Sequence, residues 1–190
     1  MSERNVEIPY LYNNIKNNSK ILDVGVDRVG YTDYLLGMGC QVFGCDPCRT
    51  DCAYPIKFQD MTEDEKFDVV ILLSTLEHFD ISNKNVFDAQ TEIDAINKAR
   101  RILNPDGIII ITVPYGIGKV YGDFIQWDYN RLELVKNRAN VKTIDECIFK
   151  CELINGYVED WKLSDRVKTK DCEYFTERGH ASAVYMAIWQ

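Results

Sequence analysis

Histidine is nearly missing from this chain: its 190 residues include two, His78 and His180. A reaction that needs an imidazole to take a proton near neutral pH has only those candidates. Basic residues are also in deficit, 22 Lys and Arg against 30 Asp and Glu, for a formal charge of −8. That balance argues against nucleic acid as the main partner, because phosphate backbones are bound chiefly by cationic side chains. No apolar run reaches the roughly 18 residues needed to span a bilayer, and the N-terminus lacks the apolar core of a signal peptide. A cytoplasmic protein without membrane insertion is expected. No internal repeat or low-complexity linker interrupts the chain, and its length suits a single domain over residues 1–190 with a sizeable core. Cysteine is plentiful, seven in all, but an odd count cannot complete a disulfide framework. Cys45, Cys48 and Cys52 give C-x2-C-x3-C, yet Cys45 falls in a strand where a core role accounts for it. Reduced thiols and no metal are the expectation.

What is present concentrates in residues 21–46. An apolar strand ends in Asp23, a turn and a short helix follow, and a second strand ends in Asp46. This order describes the first half of a nucleotide-cofactor site at the carboxyl edge of a parallel sheet. Gly25-Val26-Asp27-Arg28-Val29-Gly30 keeps the outer glycines of G-x-G-x-x-G and puts Asp27 where the middle one belongs. The middle glycine lets a pyrophosphate approach the backbone; a carboxylate there obstructs and repels it. S-adenosylmethionine has no phosphate, carries a cationic sulfonium and ammonium, and offers two ribose hydroxyls. An acidic turn suits it better than NAD, and Asp46 is placed to accept from the ribose.

These residues resemble the class I S-adenosylmethionine-dependent methyltransferases, and the resemblance covers nearly the whole chain. Ile21–Gly25 is similar to their first motif and Val42–Asp46 to their second. Phe58-Gln59-Asp60-Met61 matches the position where an acid binds the adenine amino group and its neighbour packs on the ring. Phe67–His78 resembles the fourth strand and its loop, and Ala99–Pro114 the helix, turn and strand that follow. The resemblance implies an α/β, Rossmann-like, doubly wound seven-stranded sheet of order 3-2-1-4-5-7-6 with strand 7 antiparallel. It also implies cofactor contacts from the first turn (Asp23, Gly25, Val26, Asp27), from Asp46 and Pro47, from Asp60 and Met61, and from Ser74 and Thr75.

Periodicity places strands at about 20–25, 41–45, 55–59, 67–73 and 107–113, another within 141–150, and a last at Ala183–Trp189. Residues 6–18 are read as an amphipathic helix or loop and helices near 30–38, 88–103 and 128–137, with a turn at Asn104-Pro105-Asp106-Gly107. Residues 1–19 form an N-terminal cap segment. With no room for a second domain, acceptor contacts fall to loops, chiefly 114–130 and 156–181.

Methyl transfer requires alignment of donor and acceptor and exclusion of water. A hydroxyl acceptor also needs its proton removed. His78 follows the fourth strand on the loop that faces the transferable methyl in this fold, so it is the candidate base; a structural histidine is the competing reading. His180 is read as surface or substrate loop. Glu77-His78 also resembles the Glu and His with which some related O-methyltransferases hold a divalent metal. Ser74 stands where a further acid is expected, so the set is incomplete. Glu77 is read instead as an acceptor contact, together with Tyr115, Tyr121 and Trp127, whose aromatic faces, with the oxygens of Asp123, Gln126 and Asp128, suit a sugar; packing of these aromatics onto the domain is the competing reading. The Thr-Val-Pro-Tyr-Gly run also resembles small methyltransferases of surface-glycan biosynthesis. No Asn-Pro-Pro-Tyr type motif follows the fourth strand, which argues against base-amino methylation of DNA. The leading expectation is O-methylation of a small-molecule or glycan hydroxyl. N- or C-methylation, or a non-catalytic S-adenosylmethionine-binding domain of the same fold, stands as the alternative.

Overall fold

The computed structural model describes residues 2–26, 30–79, 88–154, 157–176 and 179–190, with side chains at 153, 154 and 157–159 excluded. Asp27 lies outside the described residues. Five strands form the body of one sheet: β1 (Lys20–Val24), β2 (Gln41–Cys45), β3 (Phe67–Leu73), β4 (Leu103–Pro114) and β9 (Ala183–Trp189). A hairpin, β7 (Thr143–Ile154) and β8 (Tyr157–Ser164), extends it, giving the order β2-β1-β3-β4-β9-β7-β8. β1 to β4 run parallel; β9 is antiparallel to both of its neighbours, β4 and β7. A two-stranded ribbon, β5 (Val120–Tyr121) and β6 (Phe124–Ile125), stands apart.

Alternation along the central strands produces the two covered faces. Val70 and Leu72 of β3 join Ile109 and Ile111 of β4 in a cluster roofed by α3 (Gln90–Arg101) and α4 (Tyr129–Arg138). Val69, Ile71 and Leu73 point the other way and pack with Leu11 of α1 (Arg4–Asn14) and Leu35 of α2 (Tyr31–Gly37). Helices on both faces of a parallel sheet make the fold a doubly wound Rossmann-like one, as the sequence pattern implied. Among the described residues no helix is long and apolar enough to cross a membrane.

Two segments differ from expectation. Residues 55–59 do not form a sheet strand; pairing beside β2 stops at a single parallel bridge, Cys45 to Tyr54. Pro55 follows and has no N–H to continue a ladder. Beyond it, Lys98 of α3 donates to the carbonyls of Gln59 at 2.7 Å and Met61 at 2.5 Å, holding the segment as a 3-10 turn. The seventh strand comes from the opposite edge: residues 157–164, expected within a loop, form β8 beside β7. The Asn104–Gly107 turn appears as a bulge inside β4, where Phe67 and Val69 face Leu103 and Ile108.

Candidate functional site

β1, β2 and β3 end along one edge, and the chain leaving each forms the wall of a cleft of about 900 Å³. Val24, Gly25 and Val26 line it from β1, Asp46, Pro47 and Cys48 from β2, and Ser74 and Thr75 from β3. This is the crevice outside the carboxyl ends of the strands where open α/β sheets bind ligands. Gly25 makes the first turn tight: its φ is +78°, and a Cβ there would lie 2.6 Å from Thr75 Oγ1. Its N–H donates to the Cys45 carbonyl at 2.9 Å, tying the turn to the end of β2. Thr75 Oγ1 lies 2.8 Å from the Val24 carbonyl and 3.0 Å from that of Leu73, so the hydroxyl knits β1 to β3 beneath the turn.

Asp46 sits half-buried where β2 ends. Its Oδ1 accepts from the Cys48 N–H at 2.6 Å, and its backbone N–H donates to the Tyr54 carbonyl at 3.1 Å. One carboxylate oxygen is thereby held by the loop where Asp46 lines the cleft. Asp60 lines the same cleft from an exposed position. Asp23 does not reach the cleft; it is buried behind it, where its Oδ2 accepts from the Tyr31 hydroxyl at 2.6 Å. Met61 is also buried, in the core cluster under the sheet.

A second, smaller cavity of about 220 Å³ adjoins the first. Glu3 and Arg4 precede or open α1, Glu77 and His78 come from a 3-10 turn after β3, and Asp123 and Phe124 from the ribbon; with Tyr174 they line it. His78 and Arg4 line both cavities. His78 Nδ1 lies 3.0 Å from the Asp123 carbonyl oxygen, and its ring is tilted against Phe124 at 5.9 Å. Glu77 is only 3% exposed, and its Oε2 has no hydrogen-bond partner. Burial pushes its carboxyl well above the ordinary carboxylate range, the negative field of Glu7 adding to the effect. Glu3 is shifted upward for the same main reason, burial. The Tyr174 hydroxyl is pushed up to about 12, first by burial and then by the nearby carboxylates of Glu3, Glu77 and Asp123.

The residues singled out from the sequence thus divide by position. Gly25, Val26, Asp46, Pro47, Asp60, Ser74, Thr75 and His78 line the larger cleft, and Glu77 with His78 lines the smaller cavity. Tyr121 stands behind it, its ring 5.5 Å from Phe124 and 5.6 Å from Tyr174. Tyr115 and Trp127, expected at the acceptor, are instead core residues. Both are fully buried, and Tyr115 packs against Tyr185 at 6.1 Å. The reason is strand geometry: a parallel bridge between them continues the direction of β4 and turns both rings into the α3/α4 side of the sheet. His180 is also buried rather than at the surface, with Nδ1 2.9 Å from the Ala181 carbonyl. Arg4 and Tyr174 were not singled out from the sequence, whereas Asp123 and Phe124 belong to the aromatic run read as suited to a sugar. They sit within segments anticipated as cap and substrate loops, but no local motif marks which side chains turn inward.

Comparison with known proteins agrees with this architecture. A family described as a methyltransferase domain matches residues 6–145. No curated protein sequence matches the chain. Among solved structures, the 1,6-didemethyltoxoflavin-N1-methyltransferase of Burkholderia thailandensis, with bound 1,6-didemethyltoxoflavin and S-adenosylhomocysteine, superposes with a TM-score of 0.62 at 15% identity, over 97% of this chain and 74% of that one. A SAM-dependent methyltransferase from Methanosarcina mazei gives 0.62 at 13% identity, covering 96% of each chain. The N-methyltransferase NodS of Bradyrhizobium japonicum, in complex with S-adenosylhomocysteine, gives 0.60 at 11% identity, over 98% of this chain and 85% of that one. Identities this low speak for the fold, while the sequence family speaks for the activity. The glycine turn on Thr75, the oriented carboxylate of Asp46 and a cleft large enough for a nucleoside fit the cofactor of that family. The chain belongs to the methyltransferase-domain family and is a class I S-adenosylmethionine-dependent methyltransferase.

Proposed function

We propose that this protein methylates a hydroxyl of a small molecule or glycan and that His78 is the base. The observation that supports this most directly is the hydrogen bond between His78 Nδ1 and the Asp123 carbonyl. A carbonyl oxygen can only accept, so in the neutral ring Nδ1 carries the proton and Nε2 the lone pair. His78 also borders both cavities, the position a base needs between a cofactor and an acceptor. The cofactor supplies a methyl group already activated on a sulfonium. The chain's own work is to hold that group, orient the acceptor, keep water out and remove one proton. Asp46 would accept the ribose hydroxyls and Asp60 the adenine amino group, with Gly25, Val26, Pro47, Ser74 and Thr75 forming the walls. Glu77 would contact the acceptor, and Tyr121 would brace the aromatic wall that Phe124 and Tyr174 present to it.

An alkoxide is scarce at neutral pH, so removing the base lowers turnover by about 10²- to 10⁴-fold. Calorimetric titration with S-adenosylhomocysteine should show saturable binding, with NADH giving none. Sugars and small hydroxyl compounds are then screened for S-adenosylmethionine-dependent methyl acceptance. His78→Ala should lose turnover by at least about 100-fold while keeping its affinity for S-adenosylhomocysteine. Turnover that survives His78→Ala, or product methylated on nitrogen or carbon, would overturn the reading.

A further inference from the structure

Lys98 is an unusual residue to find enclosed. It comes from the last turn of α3 and is only 7% exposed. A buried cation is costly unless its donors are met, and an apolar side chain would fill the same space without that cost. Here the main chain meets them. Nζ donates to the carbonyls of Gln59 at 2.7 Å and Met61 at 2.5 Å and stands 5.6 Å from the centre of the Phe58 ring. Those two carbonyls belong to the residues immediately before and after Asp60. Lys57, Phe58, Gln59 and Asp60 line the larger cleft, whereas Lys98 is not among the described residues that line it. The same segment is also held from behind at Ile56, whose carbonyl lies 3.5 Å from the Cys45 thiol.

We infer that Lys98 is a positioning residue for the purine of the cofactor: by holding the carbonyls on both sides of Asp60 it fixes the direction of that carboxylate, and so sets how well the site distinguishes adenine from a purine without the 6-amino group. The inference rests on the reading of Asp60 as the acceptor for the adenine amino group and deepens it. A 3-10 turn is short and its hydrogen bonds are poorly aligned. This one closes with the Asp60 N–H on the Lys57 carbonyl at 2.9 Å and the Met61 N–H on that of Phe58 at 3.2 Å. Asp60 itself is exposed, so the aim of its side chain depends on the backbone that carries it. Hydrogen bonds weaken steeply as their angle closes. A turn released by Lys98 and rotated slightly would still border the cleft, yet its carboxylate would no longer meet the amino group in line.

The test compares two ligands on the full chain by calorimetry: S-adenosylhomocysteine and S-inosylhomocysteine, in which a carbonyl replaces the 6-amino group. The unaltered protein should prefer the first by at least about 10-fold, as expected for a hydrogen bond to a charged group. Lys98→Met keeps the unbranched stem out to Cε and removes the donors. It should bring the preference to within about 3-fold, chiefly by weakening S-adenosylhomocysteine. If Lys98→Met does not fold, Lys98→Gln, which keeps two N–H donors on a shorter arm, is measured in the same way and should also lose preference. A preference undiminished in the variant would overturn the inference, and so would equal weakening of both ligands, the mark of a merely structural support. An unaltered protein that binds the two ligands equally would overturn the Asp60 reading, and the inference with it.

Discussion

Thr112 of β4 donates a hydrogen bond to Glu7 of α1 across 105 residues of sequence, Oγ1 to Oε1 at 2.5 Å. Ser74 Oγ donates to the same oxygen at 2.8 Å, and Arg4 Nη1 to Oε2 at 2.6 Å. Glu7 is completely buried, and these donors compensate its desolvation. The cluster fixes the first turn of α1 over the ends of β3 and β4, which is what brings Glu3 and Arg4 to the two cavities. An N-terminal helix thereby becomes part of the site.

Removing that anchor should be expensive. Glu7→Ala leaves Arg4 and two hydroxyls without their acceptor, and breaking a buried ion pair from one side costs about 3–5 kcal/mol. Urea unfolding should show the midpoint fall by that amount of stability. A loss under about 1 kcal/mol would mean that α1 is not held by this cluster.

Two glycines that look alike in the sequence should behave differently. Gly25→Ala forces a side chain into φ +78° and against Thr75, whereas a Cβ on Gly30 meets nothing within 4 Å. The left-handed conformation alone costs about 1–2 kcal/mol, equivalent to a melting point lowered by about 2–4 °C per kcal/mol in a chain of this size. Gly25→Ala should also weaken S-adenosylhomocysteine binding, because the turn that moves borders the cleft. Gly30→Ala should leave the melting point within about 1 °C, and thermal melts of the two variants side by side decide the matter.

Asp46 lines the larger cleft from the end of β2. Among the described residues its side chain has the Cys48 N–H as a protein partner and no buried ion pair. Charge-assisted hydrogen bonds contribute about 1.5–3 kcal/mol, so Asp46→Ala should weaken S-adenosylhomocysteine binding by roughly 10- to 100-fold. Unchanged affinity in calorimetry would remove Asp46 from the cofactor site.

Glu77 should make stability depend on pH in a defined direction. Burial raises its carboxyl in the folded state above an unfolded value of about 4.3. The folded protein therefore favours the protonated acid, and Glu77's contribution is fully present below the unfolded value. It is lost as pH rises from there through the folded value, at up to about 1.4 kcal/mol per pH unit. Glu77→Gln removes that dependence. Its melting point should exceed the parent's by more at pH 8 than at pH 5; a difference that is the same at both would contradict the assignment.

The wall of the larger cleft was legible where its residues sit at a fixed offset from a strand end. Asp46 follows the last residue of β2, and Thr75 comes two residues after β3. Period-2 apolar runs locate such ends directly, and the turn chemistry between them is local. The smaller cavity was not legible in the same way. Tyr115 and Trp127 could be read from the sequence as a sugar platform or as packing residues, and the bridge between them turns both into the core. Aromatic composition is the same for a stacking surface and a packed interior; only the direction of the side chain separates them.

The sequence by itself determined the alternating strands, the helices between them, the acids at the strand ends and hence the family. These follow from hydrophobic period and from motif spacing, both properties of short stretches of chain. Tertiary structure decided which carboxyl groups share a cavity. Glu3, Glu77 and Asp123 lie far apart along the chain and meet only because α1 is docked on β4 through Glu7 and the ribbon folds back over His78. It also decided that 157–164 would form the seventh strand, while Pro55 and the Lys98 contacts stopped 55–59 from doing so. An edge strand exists only where a neighbour has hydrogen-bonding groups left to pair, and no local pattern carries that information.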